Sequence, residues 1–123
     1  MSDNYFKTGL ENLKKIDGTA DSNVIENLSD IAPDLARYII EFAFGQIYER
    51  PGLSLQEREL LTLSSLLTAG GCEAQLQVHI NAALHVGIKE EKIIEAFLHC
   101  IPYTGFPKVL NAVAVAGQIF SGK

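Results

Sequence analysis

Apolar residues recur at intervals of three and four along almost all of this 123-residue chain, while β-branched runs that alternate with polar residues are essentially absent. That spacing is helical, because 3.6 residues complete a turn and bring positions i, i+3 and i+4 onto one face. An all-α fold is therefore predicted. A first helix, about Asn4 to Ile16, carries Phe6, Leu10, Leu13 and Ile16 on one side, and Asp17-Gly18 supplies a stop. It is amphipathic and expected at the periphery. After the polar GTADS, the short piece NVIENLSDI leads to Pro33, whose fixed φ suits a first helical turn. A long helix is predicted from there to about Tyr48. Its sequence PDLARYIIEFAFGQIY is apolar on more than one face, the pattern of an element buried among neighbours or against a second subunit, and Pro51-Gly52 breaks it.

Ser54-Leu55-Gln56-Glu57 has the capping-box form, which starts a helix running to about Ala69, where Gly70-Gly71 can turn left-handed and end it. Three more helices follow. One spans about Glu73 to Val86 and stops at Gly87; the next opens at Lys89-Glu90-Glu91 and reaches about Ile101, before Pro102. The last is announced by Gly105-Phe106-Pro107 and extends to about Phe120, with Leu110, Val113, Val115 and Ile119 as its buried candidates. Tyr103, Gly105 and Pro107 are expected to form a compact turn between helices. With no internal repeat and no low-complexity linker, residues 1–123 are expected to form a single domain of about six helices.

Composition narrows the function classes. A chain of this length hides roughly two-thirds of its unfolded surface, enough for a core without staples. Two cysteines, Cys72 and Cys100, are too few for a secreted disulfide framework, and the opening MSDNYFKTGLENLKK turns polar at once, so a cytoplasmic location is expected. The apolar VLNAVAVAGQIF is short of the roughly 20 residues of a membrane span, so no membrane partner is expected. A net charge of -5, with ten basic residues clustered nowhere beyond Lys14-Lys15, gives no footprint for nucleic acid.

Few residues can carry chemistry. Glu59 shares a helical stripe with Leu55, Leu63 and Leu66 and so either faces the core, as a carboxylate able to exchange protons, or stays solvated within Gln56-Glu57-Arg58-Glu59. Cys72, Leu76 and His79 are spaced by four and three. That stripe places a thiol at a helix N-terminus, where the dipole favours nucleophilic sulfur, and an imidazole two turns on. The plain alternative makes Cys72 a small buried hydrophobe and His79 a hydrogen-bonded structural residue. No metal is expected, since His79, His85 and His99 lack ligand spacing; Glu95, one turn from His99, is expected to steady that imidazole.

These residues converge on a known pattern. The stretch LSLQERELLTLSSLLTAGGCEAQLQVHINAALHVGIKEEKIIEAFLHCIPYTGFPKVLNA, Leu53 to Ala112, resembles the carboxymuconolactone decarboxylase family, and APDLARYIIEFAFGQIYERPG resembles the segment before that core. Its marks are the Glu-Arg-Glu-Leu start, the histidine of QVHINAALHVG, the Lys/Glu-rich opening before EKIIEAFLH, and Tyr-x-Gly-x-Pro. The resemblance implies an all-helical subunit of the alkylhydroperoxidase D-like fold that self-associates as a trimer or hexamer. It also implies cofactor-free loss of CO2 from the small-molecule substrate γ-carboxymuconolactone, giving the β-ketoadipate enol-lactone of aromatic catabolism.

In the sister branch, the alkylhydroperoxidase D-like proteins, the resemblance implies thiol peroxidase (peroxiredoxin) activity by a Cys-x-x-Cys pair, a histidine and an upstream glutamate. Carried over, Cys72 falls on the first cysteine, His79 on the histidine and Glu59 on or next to the glutamate, whereas Gln75 stands in the second cysteine's place. An intramolecular disulfide needs two thiols, so decarboxylation is the expected reaction. For it, His79 is the expected proton donor, Glu59 its partner and Cys72 a further catalytic candidate, with Arg58, His99 and Tyr103 as substrate-binding candidates. A redox protein using Cys72 and a ligand-binding helical oligomer are the alternatives.

Overall fold

The computed structural model describes residues 2–16 and 26–122, and among them it contains helices and no strand. The all-α expectation holds. Two compact units divide the chain, the first Met1–Leu55 and the second Gln56–Lys123. The Asp17-Gly18 stop and the start of NVIENLSDI lie outside the described residues.

In the first unit, α1 (Ser2–Ile16) packs on the segment that follows α2 (Pro33–Tyr38). Leu13 and Ile16 are buried as their spacing predicts. The long helix expected from Pro33 to about Tyr48 is α-helical only through Tyr38; Ile39–Ile47 is a π-helix. The local cause is α1. Asn12, itself buried, donates from Nδ2 to the Phe44 carbonyl at 2.7 Å and to Glu49 Oε1 at 3.1 Å. A side-chain donor placed on the helical ladder is a recognised cause of such widening, and the Tyr48 N–H closes the wide pattern on the Ala43 carbonyl at 2.9 Å. Glycine does the rest: a Cβ at Gly9 would run into the Ile40 carbonyl, and one at Gly45 into the Tyr5 carbonyl. Backbone meets backbone at both places because neither residue has a side chain.

The second unit holds α3 (Leu55–Ala69), α4 (Glu73–His85), α5 (Glu90–His99), α6 (Ile101–Thr104) and α7 (Phe106–Phe120). Its core gathers Leu63 and Leu67 of α3, Leu76, Ile80 and Ala83 of α4, Ile93 and Phe97 of α5, and Val109, Ala112 and Ala116 of α7. Each set follows the three-and-four spacing of its helix. Gly70 and Gly71 both have positive φ, 74° and 69°, and so form the left-handed turn expected after α3. Two long-range bonds tie the α3 and α4 ends in place. Gln56 Nε2 donates to the Val86 carbonyl, and Lys108 Nζ donates to the Thr68 carbonyl, a cation on carbonyls at a helix C-terminus, each at 2.9 Å.

Three local expectations are corrected. Pro102 does not follow a helix running to Ile101: α5 ends at His99, and Pro102 sits in the first turn of the short α6, where its missing N–H costs nothing. Tyr103 is accordingly helical, and the reversal is made by Gly105 at φ 90° alone. On α7 the buried face is Val109, Ala112 and Ala116, not Leu110, which is 64% exposed, and Val113, Val115 and Ile119 are only partly buried. Small residues face the core there because α7 packs closely on α4, whose own Ala82 and Ala83 are buried.

Candidate active site

Glu59 lies on α3 in the stripe Glu59, Leu63, Leu67, and the alternative left open by its sequence is decided for the core: it is completely buried. A buried carboxylate needs a partner. It has one in His79 of α4, whose Nδ1 lies 2.9 Å from Glu59 Oε1. Against an ionised carboxylate, which only accepts, Nδ1–H is the donor and Nε2 is the ring atom left for a ligand. The imidazole side chain retains 19% exposure, so the pair runs from the core to the surface.

Cys72 is the residue before α4, half-buried, with Sγ donating to the Gly70 carbonyl at 3.4 Å. Cys72, Leu76 and His79 do share a stripe, with Leu76 buried between them. Both Cys72 and Cys100 are free thiols, and Cys100 is buried in the core. Arg58 is half-buried on α3, one residue from Glu59, and its carbonyl accepts the Thr62 hydroxyl.

His99 and Tyr103 meet each other, with ring centroids 5.7 Å apart. The Glu95 to His99 hydrogen bond expected from their spacing is absent; both residues are exposed, and water competes for an exposed pair. Arg37, in the first unit, is taken up by Asp34 at 3.4 Å and Glu41 at 3.8 Å and lies over the Tyr38 ring. Lys108 was invisible as a helix cap, because a contact with Thr68 forty residues away leaves no local signal.

Among the described residues no group of three or more His, Cys, Asp or Glu could hold a metal ion, and no helix is long and apolar enough to cross a membrane. Clefts of about 280 Å³ beside Arg37 and about 400 Å³ beside Glu90 and Glu95 are lined by neither Glu59 nor His79. What the Glu59–His79 arrangement can do is hold the imidazole in one tautomer and one orientation, the set-up of a general acid or base.

Glu59→Leu is expected to lower stability by about 1–3 kcal/mol, because it leaves Nδ1 of a largely buried histidine without its acceptor. Chemical denaturation of both proteins measures it; equal midpoints would show that Glu59 does not hold His79.

The sequence profile of the carboxymuconolactone decarboxylase family matches residues 33–118. The 4-carboxymuconolactone decarboxylase of Acinetobacter baylyi is 34% identical over 116 residues, covering 94% of this chain and 86% of that protein. The nitrosuccinic acid decarboxylase of Metarhizium robertsii is 33% identical over 93 residues, covering 76% of this chain and 64% of that protein. With most of its length matched and the Glu59–His79 pair inside the matched region, this chain belongs to the carboxymuconolactone decarboxylase family.

Proposed function

We propose that this protein is a cofactor-free carboxy-lyase that converts γ-carboxymuconolactone to the β-ketoadipate enol-lactone and CO2. The observation that carries the chemistry is the bond between the buried Glu59 and His79 Nδ1. The similarity to the Acinetobacter baylyi enzyme supports the substrate, and the two relatives named above are both decarboxylases. In the reaction the carbon–carbon bond to the departing carboxylate breaks, and its electron pair enters the lactone as an enolate. His79 Nε2–H then donates its proton to carbon, and solvent returns a proton to the ring. Glu59 keeps Nδ1 protonated and stabilises the imidazolium that precedes transfer.

The experiment is CO2 release from γ-carboxymuconolactone by the purified protein without added cofactor. Release supports the proposal; none over hours at micromolar protein would retire this substrate. Glu59→Gln is expected to keep the fold and lose most of the turnover, since a neutral amide cannot stabilise the imidazolium and can donate to Nδ1, selecting the wrong tautomer. Circular dichroism beside the CO2 assay separates the two effects.

Thiol peroxidase turnover is expected to be negligible, because Gln75 stands where a second thiol would be needed and Cys100 is buried. Peroxide consumption that disappears in Cys72→Ser would reverse this assignment. Self-association as a trimer or hexamer is part of the same proposal. It is supported by exposed apolar side chains, Leu35, Tyr38 and Phe42 in the first unit and Tyr103, Phe106 and Leu110 in the second. Sedimentation at micromolar concentration tests it, and a monomer would contradict it.

A further inference from the structure

On the surface of α4, four positions neighbour His79 by three- and four-residue spacing: Gln75, Leu76, Ala82 and Ala83. Three of them are buried and apolar, and only Gln75 is polar and exposed. Helical side chains lean toward the N-terminus, so the imidazole of His79 lies over the turn that carries Gln75. Its amide makes no hydrogen bond within the described residues, which leaves two N–H donors and one acceptor open. Polar groups spaced around Glu59 on α3 are already committed: Gln56 Nε2 donates to the Val86 carbonyl and the Thr62 hydroxyl to the Arg58 carbonyl.

From this placement we infer that Gln75 is a substrate-binding residue whose side-chain amide donates to the departing carboxylate of the acid bound against His79. The ligand class rests on the decarboxylase proposed above. A neutral donor suits that carboxylate better than a cation would. Decarboxylation moves negative charge off the carboxylate and onto the enolate, so a guanidinium fixed on it would stabilise the ground state more than the transition state. An amide orients the group at smaller cost, leaving charge stabilisation to the imidazolium at the other end of the transferred electron pair.

The test uses the full chain, with succinate as probe and the His79 imidazole resonances as readout, in wild type, Gln75→Leu and Gln75→Glu. Both substitutions are on an exposed helical position, Glu keeping the side-chain length and shape and Leu being one atom shorter, and circular dichroism confirms the fold. A saturable shift at His79 is expected in the wild type. The dissociation constant is expected to rise about tenfold in Gln75→Leu, the loss of one hydrogen bond to a charged group, and further in Gln75→Glu, which offers an acceptor and a like charge. Equal constants in all three, or no response at His79 in the wild type, would overturn the inference.

The CO2 assay separates this inference from the reaction itself. If the wild type releases CO2 from γ-carboxymuconolactone and kcat/KM is unchanged in Gln75→Leu and Gln75→Glu, Gln75 is retired and the decarboxylase stands. If succinate binding depends on Gln75 but no CO2 is released, the proposed substrate is retired and the carboxylate site stands.

Discussion

His79→Ala is expected to lower the rate of CO2 release from γ-carboxymuconolactone by about 10²–10⁴-fold, the usual contribution of a positioned general acid. The loss should fall on kcat, because protonation at carbon is a transition-state interaction, and KM should change less. Removing the ring also leaves the buried Glu59 carboxylate without its 2.9 Å partner, so a fall in stability accompanies the variant. Two measurements keep these apart. Single-turnover rates under conditions where circular dichroism shows the variant folded report the chemistry, and His79→Gln, which retains a donor for Glu59, restores stability without restoring turnover. A folded His79→Ala protein with near-normal kcat would remove His79 from the mechanism and leave its bond to Glu59 as packing alone.

Gly45→Ala and Gly9→Ala are each expected to destabilise the first unit by about 3 kcal/mol, the upper part of the range for overpacking, because the added methyl meets main chain and cannot be relieved by a rotamer change. At Gly45 the new carbon would press on the Tyr5 carbonyl, and at Gly9 on the Ile40 carbonyl with the Ile40 Cγ2 atom at 2.9 Å. Gly52→Ala is the control, since nothing lies within 4 Å of a Cβ there. Urea unfolding followed by circular dichroism reads all three. Control-like behaviour of Gly45→Ala would mean that α1 and the π-helical segment are not in backbone contact in solution, and the Asn12 bond to the Phe44 carbonyl would lose its basis with it.

Much of this architecture was legible in the residues themselves. Helical periodicity is local, so the all-α class, the end of α3 at Ala69, the left-handed Gly70-Gly71 turn and the common stripe of Cys72, Leu76 and His79 all follow from residues within a few turns of one another. Where two faces of a helix are both apolar, as on α7, the same spacing does not choose between them. Close packing on α4 chose the small face of Val109, Ala112 and Ala116, and left Leu110 outside.

Contacts across many residues needed the tertiary structure. Periodicity placed Glu59 on a stripe that was either core or surface; only the docking of α3 with the rest of its unit buried it and set its carboxylate against an imidazole twenty residues on. The π-helix belongs to the same class, since Asn12 reaches the Phe44 carbonyl from thirty-two residues away. Lys108 on the Thr68 carbonyl and Gln56 on the Val86 carbonyl do too. What the sequence determined by itself was therefore the set of helices and the residue types each face could present. What the tertiary structure decided was which polar groups meet, because a hydrogen bond depends on inter-helix register to within a few tenths of an ångström, and that register is a property of the whole packed core.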